Sequence, residues 1–190
     1  MKSTYRSIFL TSVLTLLAFG GVLYTSCKQD KCKAIVCAYG GTCIDGACKC
    51  LPGYEGTSCE TVARDKFIGF YNVIEQGTIT PLRQYPLAIT ADPSDVRFVL
   101  INNAYNYFSG AITRAQVKGD TLIIPNQQLM GKVIVGWGTM GHTPTYQTGP
   151  ANFVTMNYEV IDSASGNRIV DDIGLYHDVD NSEPSKWIKY

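Results

Sequence analysis

The residues of this 190-residue chain with the clearest chemistry are its seven cysteines. Six of them follow the spacing C-x4-C-x5-C-x4-C-x-C-x8-C, and they are Cys32, Cys37, Cys43, Cys48, Cys50 and Cys59. So short a segment holds too few apolar side chains to build a core, so we interpret it as a module cross-linked by disulfides in an oxidising compartment. Six cysteines allow fifteen pairings, and spacing alone does not choose among them.

Metal binding is the alternative chemistry for this cysteine segment. The C-x-C and C-x4-C spacings also occur in zinc sites, but no histidine lies near these cysteines and the segment follows an export-type leader. Calcium would need more acidic residues than Asp30 and Asp45, the only ones near the positions concerned. We therefore expect disulfides and neither metal nor cofactor.

Residues 32–60 resemble the EGF-like domain. The resemblance rests on the whole cysteine spacing, on Gly40-Gly41-Thr42-Cys43, and on the closing segment Cys48-Lys49-Cys50-Leu51-Pro52-Gly53-Tyr54-Glu55-Gly56-Thr57-Ser58-Cys59. It implies the pairings Cys32–Cys43, Cys37–Cys48 and Cys50–Cys59. It also implies a rigid spacer or adhesive module, because a single EGF-like copy does not by itself indicate receptor activation.

The N-terminus has the pattern of an export signal over residues 1–26. Lys2 and Arg6 precede an apolar run without charges over residues 8–24. This run of 17 residues is shorter than the roughly 20 residues that span a bilayer, so we expect a cleaved leader instead of a permanent anchor.

The seventh cysteine, Cys27, follows this leader directly. The sequence Leu23-Tyr24-Thr25-Ser26-Cys27 resembles the lipobox of bacterial lipoproteins, which implies a lipid-modified Cys27 at the mature N-terminus. Residues 27–31 would then be a lipid anchor with a short polar tether, and the protein would be held in the cell envelope, at the outer membrane. Cleavage near Gly20 by an ordinary signal peptidase, leaving Cys27 as a free thiol, is the alternative.

The charge balance argues against nucleic acid as a partner. The chain has 16 basic and 16 acidic side chains, and without Lys2 and Arg6 the mature protein would carry about −2. No run of Lys or Arg forms a basic stripe.

Residues 61–190 have the pattern of antiparallel β-structure. Turn signals separate stretches that alternate or are rich in β-branched and aromatic residues, and Gly119-Asp120 marks a hairpin. The stretches are 67–74, 97–101, 111–117, 121–124, 132–137, 153–161 and 168–176. We expect about eight strands in a barrel or a sandwich, without a helix of ten residues.

Two features of this domain resemble lipocalin-like barrels. Gly69-Phe70-Tyr71 resembles the G-x-W start of that family with Tyr in place of Trp, and Arg168 occupies the place of its closing arginine. The resemblance implies an internal cavity for a small apolar ligand.

Catalytic motifs are weak in this domain. Gly136-Trp137-Gly138-Thr139-Met140-Gly141 spells a dinucleotide fingerprint, but the residues that follow cannot begin a helix, so we expect a glycine-rich loop or bulge. His142 and His177 have no evident nucleophile as partner, and strand alternation should separate Asp171 and Asp172, with one facing out and the other at a turn. We expect no enzyme activity.

Aromatic residues are the candidate ligand-binding side chains. Tyr105 and Tyr107 alternate with asparagines, while Trp137 and Tyr146 flank glycine-rich sequence. Flat rings beside amide groups suit the recognition of glycans or proteins, although the same rings could fill the barrel. We therefore expect a non-enzymatic binding or adhesion lipoprotein; the alternatives are a lipocalin-like carrier and an envelope hydrolase.

The Cys27→Ala variant tests the lipid anchor. We expect this variant to lose its acyl chains and to leave the membrane fraction, because two or three chains are needed for durable attachment. Membrane fractionation and mass spectrometry of the mature chain measure both effects. A variant that stays membrane-bound with its leader uncleaved would show that residues 8–24 are a permanent anchor instead.

Overall fold

The computed structural model describes residues 30–143, 151–162, 168–175 and 183–190. These residues form β-strands joined by turns and by short 3-10 segments. The strands are β1 (Thr42–Ile44), β2 (Ala47–Lys49), β3 (Tyr54–Glu55), β4 (Thr61–Val62), β5 (Gly69–Gln76), β6 (Arg83–Ala91), β7 (Phe98–Asn102), β8 (Ile112–Lys118), β9 (Thr121–Leu129), β10 (Lys132–Thr143), β11 (Ala151–Asp162), β12 (Ile169–Ile173) and β13 (Glu183–Lys189).

The EGF-like module consists of two small hairpins and three disulfides. The disulfides join Cys32 to Cys43, Cys37 to Cys48 and Cys50 to Cys59, as the EGF-like resemblance implies. β1 pairs with β2, and β3 pairs with β4. The module has little apolar interior, so the cross-links supply most of its order.

The second unit is a closed antiparallel barrel of eight strands. Its strands follow the order β5-β6-β7-β8-β9-β10-β11-β13, and β13 pairs back with β5. Closure depends on β10 and β11, which pair along their whole length from Lys132↔Asp162 to Thr143↔Ala151. The predicted mainly-β fold is confirmed, and of the two architectures left open the structure has the barrel.

β12 lies outside this ring and shares one edge of β11 with β13. β12 pairs with residues 158–162 of β11, and β13 pairs with residues 153–156. The connection between β5 and β6 completes the barrel wall beside β12, because the N–H of Thr78 donates to the Asp172 carbonyl at 3.0 Å.

The EGF-like module packs against one end of the barrel, which we call the module end. The Ala63 N–H donates to the Gly53 carbonyl at 2.9 Å. Lys66 lies 2.8 Å from a carboxylate oxygen of Glu55 in the module and of Asp120 between β8 and β9. Burial opposes the charge of Lys66, but these two carboxylates outweigh it and raise its pKa. The module is thus attached to the barrel by direct contacts.

Arg64 fixes the chain where it enters the barrel. Its Nη1 donates to the carbonyl oxygens of Asp92, Asp95 and Phe98 at 2.6, 2.8 and 3.1 Å. Asp92 and Asp95 belong to the connection between β6 and β7 at the module end, and Phe98 is the first residue of β7. A single guanidinium therefore holds the linker and this connection together.

Large side chains fill the barrel interior. The inward positions of the strands alternate with outward ones, as period-two burial requires. Fully buried side chains from both halves of the sheet occupy the interior, among them Tyr71, Ile101, Leu122, Ile134, Met156, Tyr158 and Trp187. Phe108, at the end opposite the module, is also fully buried.

The glycines of the fingerprint-like sequence belong to this packing. They lie inside β10, with a bulge against β9 between Ile134 and Gly136, instead of in a loop. A Cβ on Gly136 would lie 2.6 Å from the Tyr158 Cα, and one on Gly138 would lie 2.6 Å from the Thr155 carbonyl. The glycines let the side chains of β11 cross the inner face of β10.

Two strands, β6 and β13, were not predicted, because each contains a proline. Pro86 lies in the middle of β6, opposite Asn72 of β5. Its carbonyl points to the β7 side, where it accepts from the Asn103 Nδ2 at 2.8 Å, and the β6–β7 ladder begins only at Ala88. The missing N–H of Pro86 therefore faces a place without a ladder partner.

The Gly136→Ala variant tests the close packing of β10 on β11. We expect a loss of about 2–3 kcal/mol in the free energy of unfolding, because the new methyl group overlaps backbone that cannot rotate away. Thr139→Ala, an exposed position on the same strand, is the control and should change stability by less than about 0.5 kcal/mol. Equal effects in urea denaturation would contradict this account.

Candidate functional site

The outer wall of the barrel carries a groove between β9, β10 and β11. We call it the wall groove; it has a volume of 610 Å³ and is lined chiefly by Thr121, Ile123, Pro125, Val135, Trp137, Glu159 and Leu175. These β9, β10 and β11 residues point outward because their neighbours at 122, 124, 134, 136 and 158 point into the barrel.

Trp137 is the prominent side chain of the wall groove. It is 47% exposed, which is unusual for so large an apolar ring, and its strand neighbours are Ile123 and Asn157. Glu159 is the one charged residue among those that line the groove. The arrangement therefore offers apolar contact area with a polar margin, which suits binding.

A second cluster of polar side chains is buried inside the barrel around Glu75. Glu75 is 2% exposed, and Arg83 donates to its Oε1 from Nε and Nη2 at 3.0 and 2.7 Å. The Tyr158 hydroxyl and the Ser185 Oγ donate to Oε2 at 2.5 and 2.9 Å. Trp187 Nε1 in turn donates to Ser185 at 2.9 Å. We call these residues the Glu75 cluster.

The Glu75 cluster has the connectivity of a structural network. The carboxylate of Glu75 accepts four hydrogen bonds and leaves little capacity for a substrate proton. Burial, with the charge of Glu75 nearby, raises the pKa of Tyr85 and of Tyr158 well above their usual range, so both phenols stay neutral. The Tyr85 hydroxyl is buried without a hydrogen-bond partner among the described residues.

A third group, the Asp171 cluster, joins β12 to two connections at the end of the barrel opposite the module. Asp171 accepts from the N–H groups of Ile79 and Thr80 at 2.9 and 3.2 Å, and from the Thr80 hydroxyl. The Tyr105 hydroxyl lies 2.5 Å from Asp171 and 3.0 Å from the Thr80 hydroxyl. Tyr105 is thus a structural contact as well as a candidate ligand-binding residue.

Arg83 links these two clusters. Its Nη2 donates to the Tyr105 carbonyl at 2.8 Å, and its guanidinium lies 4.3 Å from the centroid of the Tyr105 ring. Burial, followed by the hydrogen bond to Asp171, raises the pKa of Tyr105 to about 12. Burial by itself would raise the pKa of Asp171, but its hydrogen bonds from Thr80, Tyr105 and Ile79 outweigh burial and lower that pKa.

The candidate ligand-binding residues do not form one site. Tyr107 is 45% exposed, and its ring centroid lies 4.9 Å from Lys132 Nζ at the start of β10. Trp137 is five residues further along the same strand, roughly 17 Å at about 3.4 Å per residue, and faces outward. Tyr146 and the lipidation residue Cys27 lie outside the described residues.

Sequence reasoning missed the Glu75 cluster and misplaced one aspartate. Glu75, Arg83, Tyr158 and Ser185 are far apart in the chain, and no motif joins them. One of Asp171 and Asp172 was expected to face outward, but both are buried, at 4% and 3% exposure. The reason is that the connection at residues 77–80 covers this part of β12.

Arg168, the expected closing arginine of a lipocalin-like barrel, does not take that place in the structure. Arg168 is exposed. The cation near the start of β5 is Lys189, which donates to the Lys66 carbonyl at 3.0 Å and lies close to Gly69. The lipocalin-like features of the sequence therefore do not meet in the structure as the resemblance implies.

Comparison with known proteins identifies the module. Residues 35–62 match the model of the Teneurin-like EGF domain. No solved structure matches the chain. The match includes β4, which pairs with β3, and it begins after Cys32, so the similarity covers most of the folded module and stops before the barrel. The EGF-like domain followed by a β-barrel fits a binding protein.

Two further observations concern the described residues alone. They contain no helix that is both long and apolar enough to cross a membrane. Within the same residues, His, Cys, Asp and Glu side chains form no group of three placed to hold a metal ion.

The Asp171→Asn variant tests the Asp171 cluster through its pH dependence. Because the folded-state pKa of Asp171 is lowered, its ionised form stabilises the fold above the unfolded pKa of about 4, and this stabilisation is lost as the pH falls through the folded pKa. We expect the variant to lose about 2–4 kcal/mol at pH 7 and markedly less at pH 3.

Urea denaturation at pH 7, 5 and 3 measures this difference. Asp45→Asn, at an exposed side chain 3.9 Å from Lys31, is the matched control and should have little effect at any pH. A stability difference for Asp171→Asn that is the same at pH 3 and pH 7 would contradict the role of its charge.

Proposed function

We propose that this chain is a non-enzymatic binding protein of the cell envelope, held by a lipid on Cys27, which recognises another protein through the wall groove. The EGF-like module follows the anchor and carries the barrel. The residues that would touch the partner are Ile123, Pro125, Val135, Trp137 and Leu175.

The observation that carries this proposal is the contrast between the barrel's interior and its wall. Buried side chains such as Tyr71, Tyr158 and Trp187 fill the interior. The wall groove, with a volume of 610 Å³, is open to solvent and holds the half-exposed Trp137. Recognition on the wall is therefore better supported than an internal ligand, and no observation favours the lipocalin-like carrier.

The chemistry of the groove favours a protein over a glycan. A sugar ring bound on tryptophan also needs hydrogen-bonding groups around it, and the wall groove offers mainly Thr121 and Glu159. Apolar and aromatic side chains with few charges are typical of the core of a protein–protein interface, where tryptophan contributes most strongly. We therefore infer a partner that inserts apolar side chains beside Trp137.

The attachment of the module supports presentation of the barrel away from the membrane. Lys66 bridges Glu55 and Asp120, and Arg64 binds three carbonyls at the module end. The lipid would be on the module side, because Cys27 precedes the module by only a few residues. The wall groove, at the side of the barrel, would then be accessible to a partner at the surface.

A photo-reactive phenylalanine analogue in place of Trp137 tests this function in the producing cells. We expect cross-links to one protein, with no such product from the same analogue at Tyr39, an exposed ring of the module. With that protein purified, Trp137→Ala should weaken binding by about 2 kcal/mol, roughly 30-fold.

Three outcomes would contradict the proposal. Cross-links that are the same from positions 137 and 39 would mean that contact is non-specific. Adducts that contain only carbohydrate or lipid would show that the ligand of the wall groove is not a protein. If Trp137→Ala bound the partner with unchanged affinity, the wall groove would not be part of the interface.

A further inference from the structure

The wall groove contains a carboxylate whose charge is not balanced by a neighbouring side chain. Glu159 lines the groove from the outer face of β11 and is half-buried. It forms no hydrogen bond or ion pair with any other residue that the structure describes. A carboxylate that folding removes partly from water without giving it a partner costs free energy. Glu159 is therefore a candidate contact for a positively charged group of a ligand.

A second carboxylate adds to the negative potential at Glu159. Asp172 of β12 is directly opposite Glu159 in the β11–β12 ladder, and its Oδ1 accepts from the Leu175 N–H at 2.9 Å. Like charges directly opposite each other on neighbouring strands repel. A cation bound at Glu159 would relieve this repulsion.

The part of the chain that contributes β10, β11 and Leu175 to the wall groove is strongly acidic. Residues 133–185 contain seven acidic side chains and a single lysine or arginine, Arg168. Arg168 is exposed and lies four residues before Asp172, roughly 13 Å away at about 3.3 Å per residue. Lys132, at the start of β10, pairs with Asp162. Charge complementarity at this wall therefore favours a basic group of the partner.

The ring of Trp137 lies beside Glu159 on the outer face. Trp137 is opposite Asn157 and Val135 is opposite Glu159 in the β10–β11 ladder, so Trp137 and Glu159 are diagonal neighbours. The Cα atoms of such neighbours are roughly 7–8 Å apart, within reach of aromatic and long side chains. Within the described part of the chain, the Trp137 ring has no contact with another aromatic ring or with a cation. An uncovered indole and an unpaired carboxylate therefore lie side by side.

We propose that the wall groove binds an arginine of its protein partner, with the guanidinium stacked on Trp137 and paired with Glu159. A guanidinium is planar, so one face can lie on an indole ring while its N–H groups donate to a carboxylate. The ammonium group of lysine is a compact point charge and combines these two contacts less well. The inference rests on the proposed function, because it assumes that the wall groove binds a protein.

Apolar residues of the partner on both sides of this arginine would complete the contact. Ile123, Pro125 and Leu175 also line the groove. Apolar side chains packed on them would exclude water from the ion pair, and a pair that is shielded from water is electrostatically stronger. We therefore expect an arginine flanked by apolar residues, and Glu159 is the residue that determines this specificity.

Selection of peptides from a random library displayed on phage tests this specificity on the full mature chain in detergent. We expect the wild-type chain to enrich peptides that contain an arginine next to apolar residues. Glu159→Gln should lose the preference for arginine and keep that for apolar residues, and Glu159→Lys should select an acidic residue instead. Asp45→Asn removes a negative charge from an exposed side chain of the module and, as the control, should select like the wild type.

A selected peptide then measures the ion pair itself. Citrulline in place of the arginine keeps the shape of the side chain and removes its charge. We expect this exchange to weaken binding roughly 20-fold for the wild-type chain and less than about 3-fold for Glu159→Gln. The fluorescence of Trp137 reports binding, because the other tryptophan of the chain, Trp187, is 1% exposed inside the barrel. Glu159→Gln should keep the wild-type melting temperature, since Glu159 has no partner among the described residues.

The outcomes separate this inference from the proposed function. Selected peptides that lack arginine but still require Trp137 would overturn the arginine and leave the proposed function standing. So would a citrulline effect that is the same for the wild-type chain and for Glu159→Gln. A melting temperature of Glu159→Gln well below that of the wild type would show that the carboxylate serves the fold, which also contradicts the inference. A selection without any peptide that requires Trp137 would overturn both.

Discussion

Closure of the sheet between β10 and β11 is the constraint on which the rest of the barrel depends. The two strands pair in register along their whole length, and this pairing is possible because Gly136 and Gly138 leave room for the side chains of β11. Without it the sheet would have two long free edges, and the interior residues Tyr158 and Met156 would lose one wall. The same pairing sets Trp137 on the outside, because its neighbours face inward.

The barrel interior also buries the carboxylate of Glu75, and the hydrogen bonds that compensate its charge help to order the connections at the end of the barrel opposite the module. Glu75 is fully bonded by Arg83, Tyr158 and Ser185, so its charge is paired instead of isolated. Arg83 then reaches Tyr105, which in turn contacts Asp171. The hydrogen-bond network around one buried charge thereby fixes two connections at the end of the barrel opposite the module.

The sequence predicts local features of this protein well and long-range ones poorly. Disulfide chemistry and the hairpin at Gly119-Asp120 follow from spacing and turn type, because each is decided within a few residues. Strand β6 was missed because Pro86 is tolerated only where the ladder has ended, which depends on β7. The Glu75 cluster joins residues more than a hundred positions apart, so no local pattern predicts it.

The EGF-like module is fixed to the barrel by direct contacts, so as a spacer it also sets the direction in which the barrel points. A free module would let the barrel sample many orientations above a membrane, and a partner on a facing surface would then meet a low effective concentration of correctly turned barrels. Here Lys66 joins the module to the β8–β9 turn and Arg64 holds the entry of the chain, so module and barrel present one fixed direction. With the proposed lipid on Cys27, the fold would direct the end of the barrel opposite the module away from the anchor and the wall groove sideways.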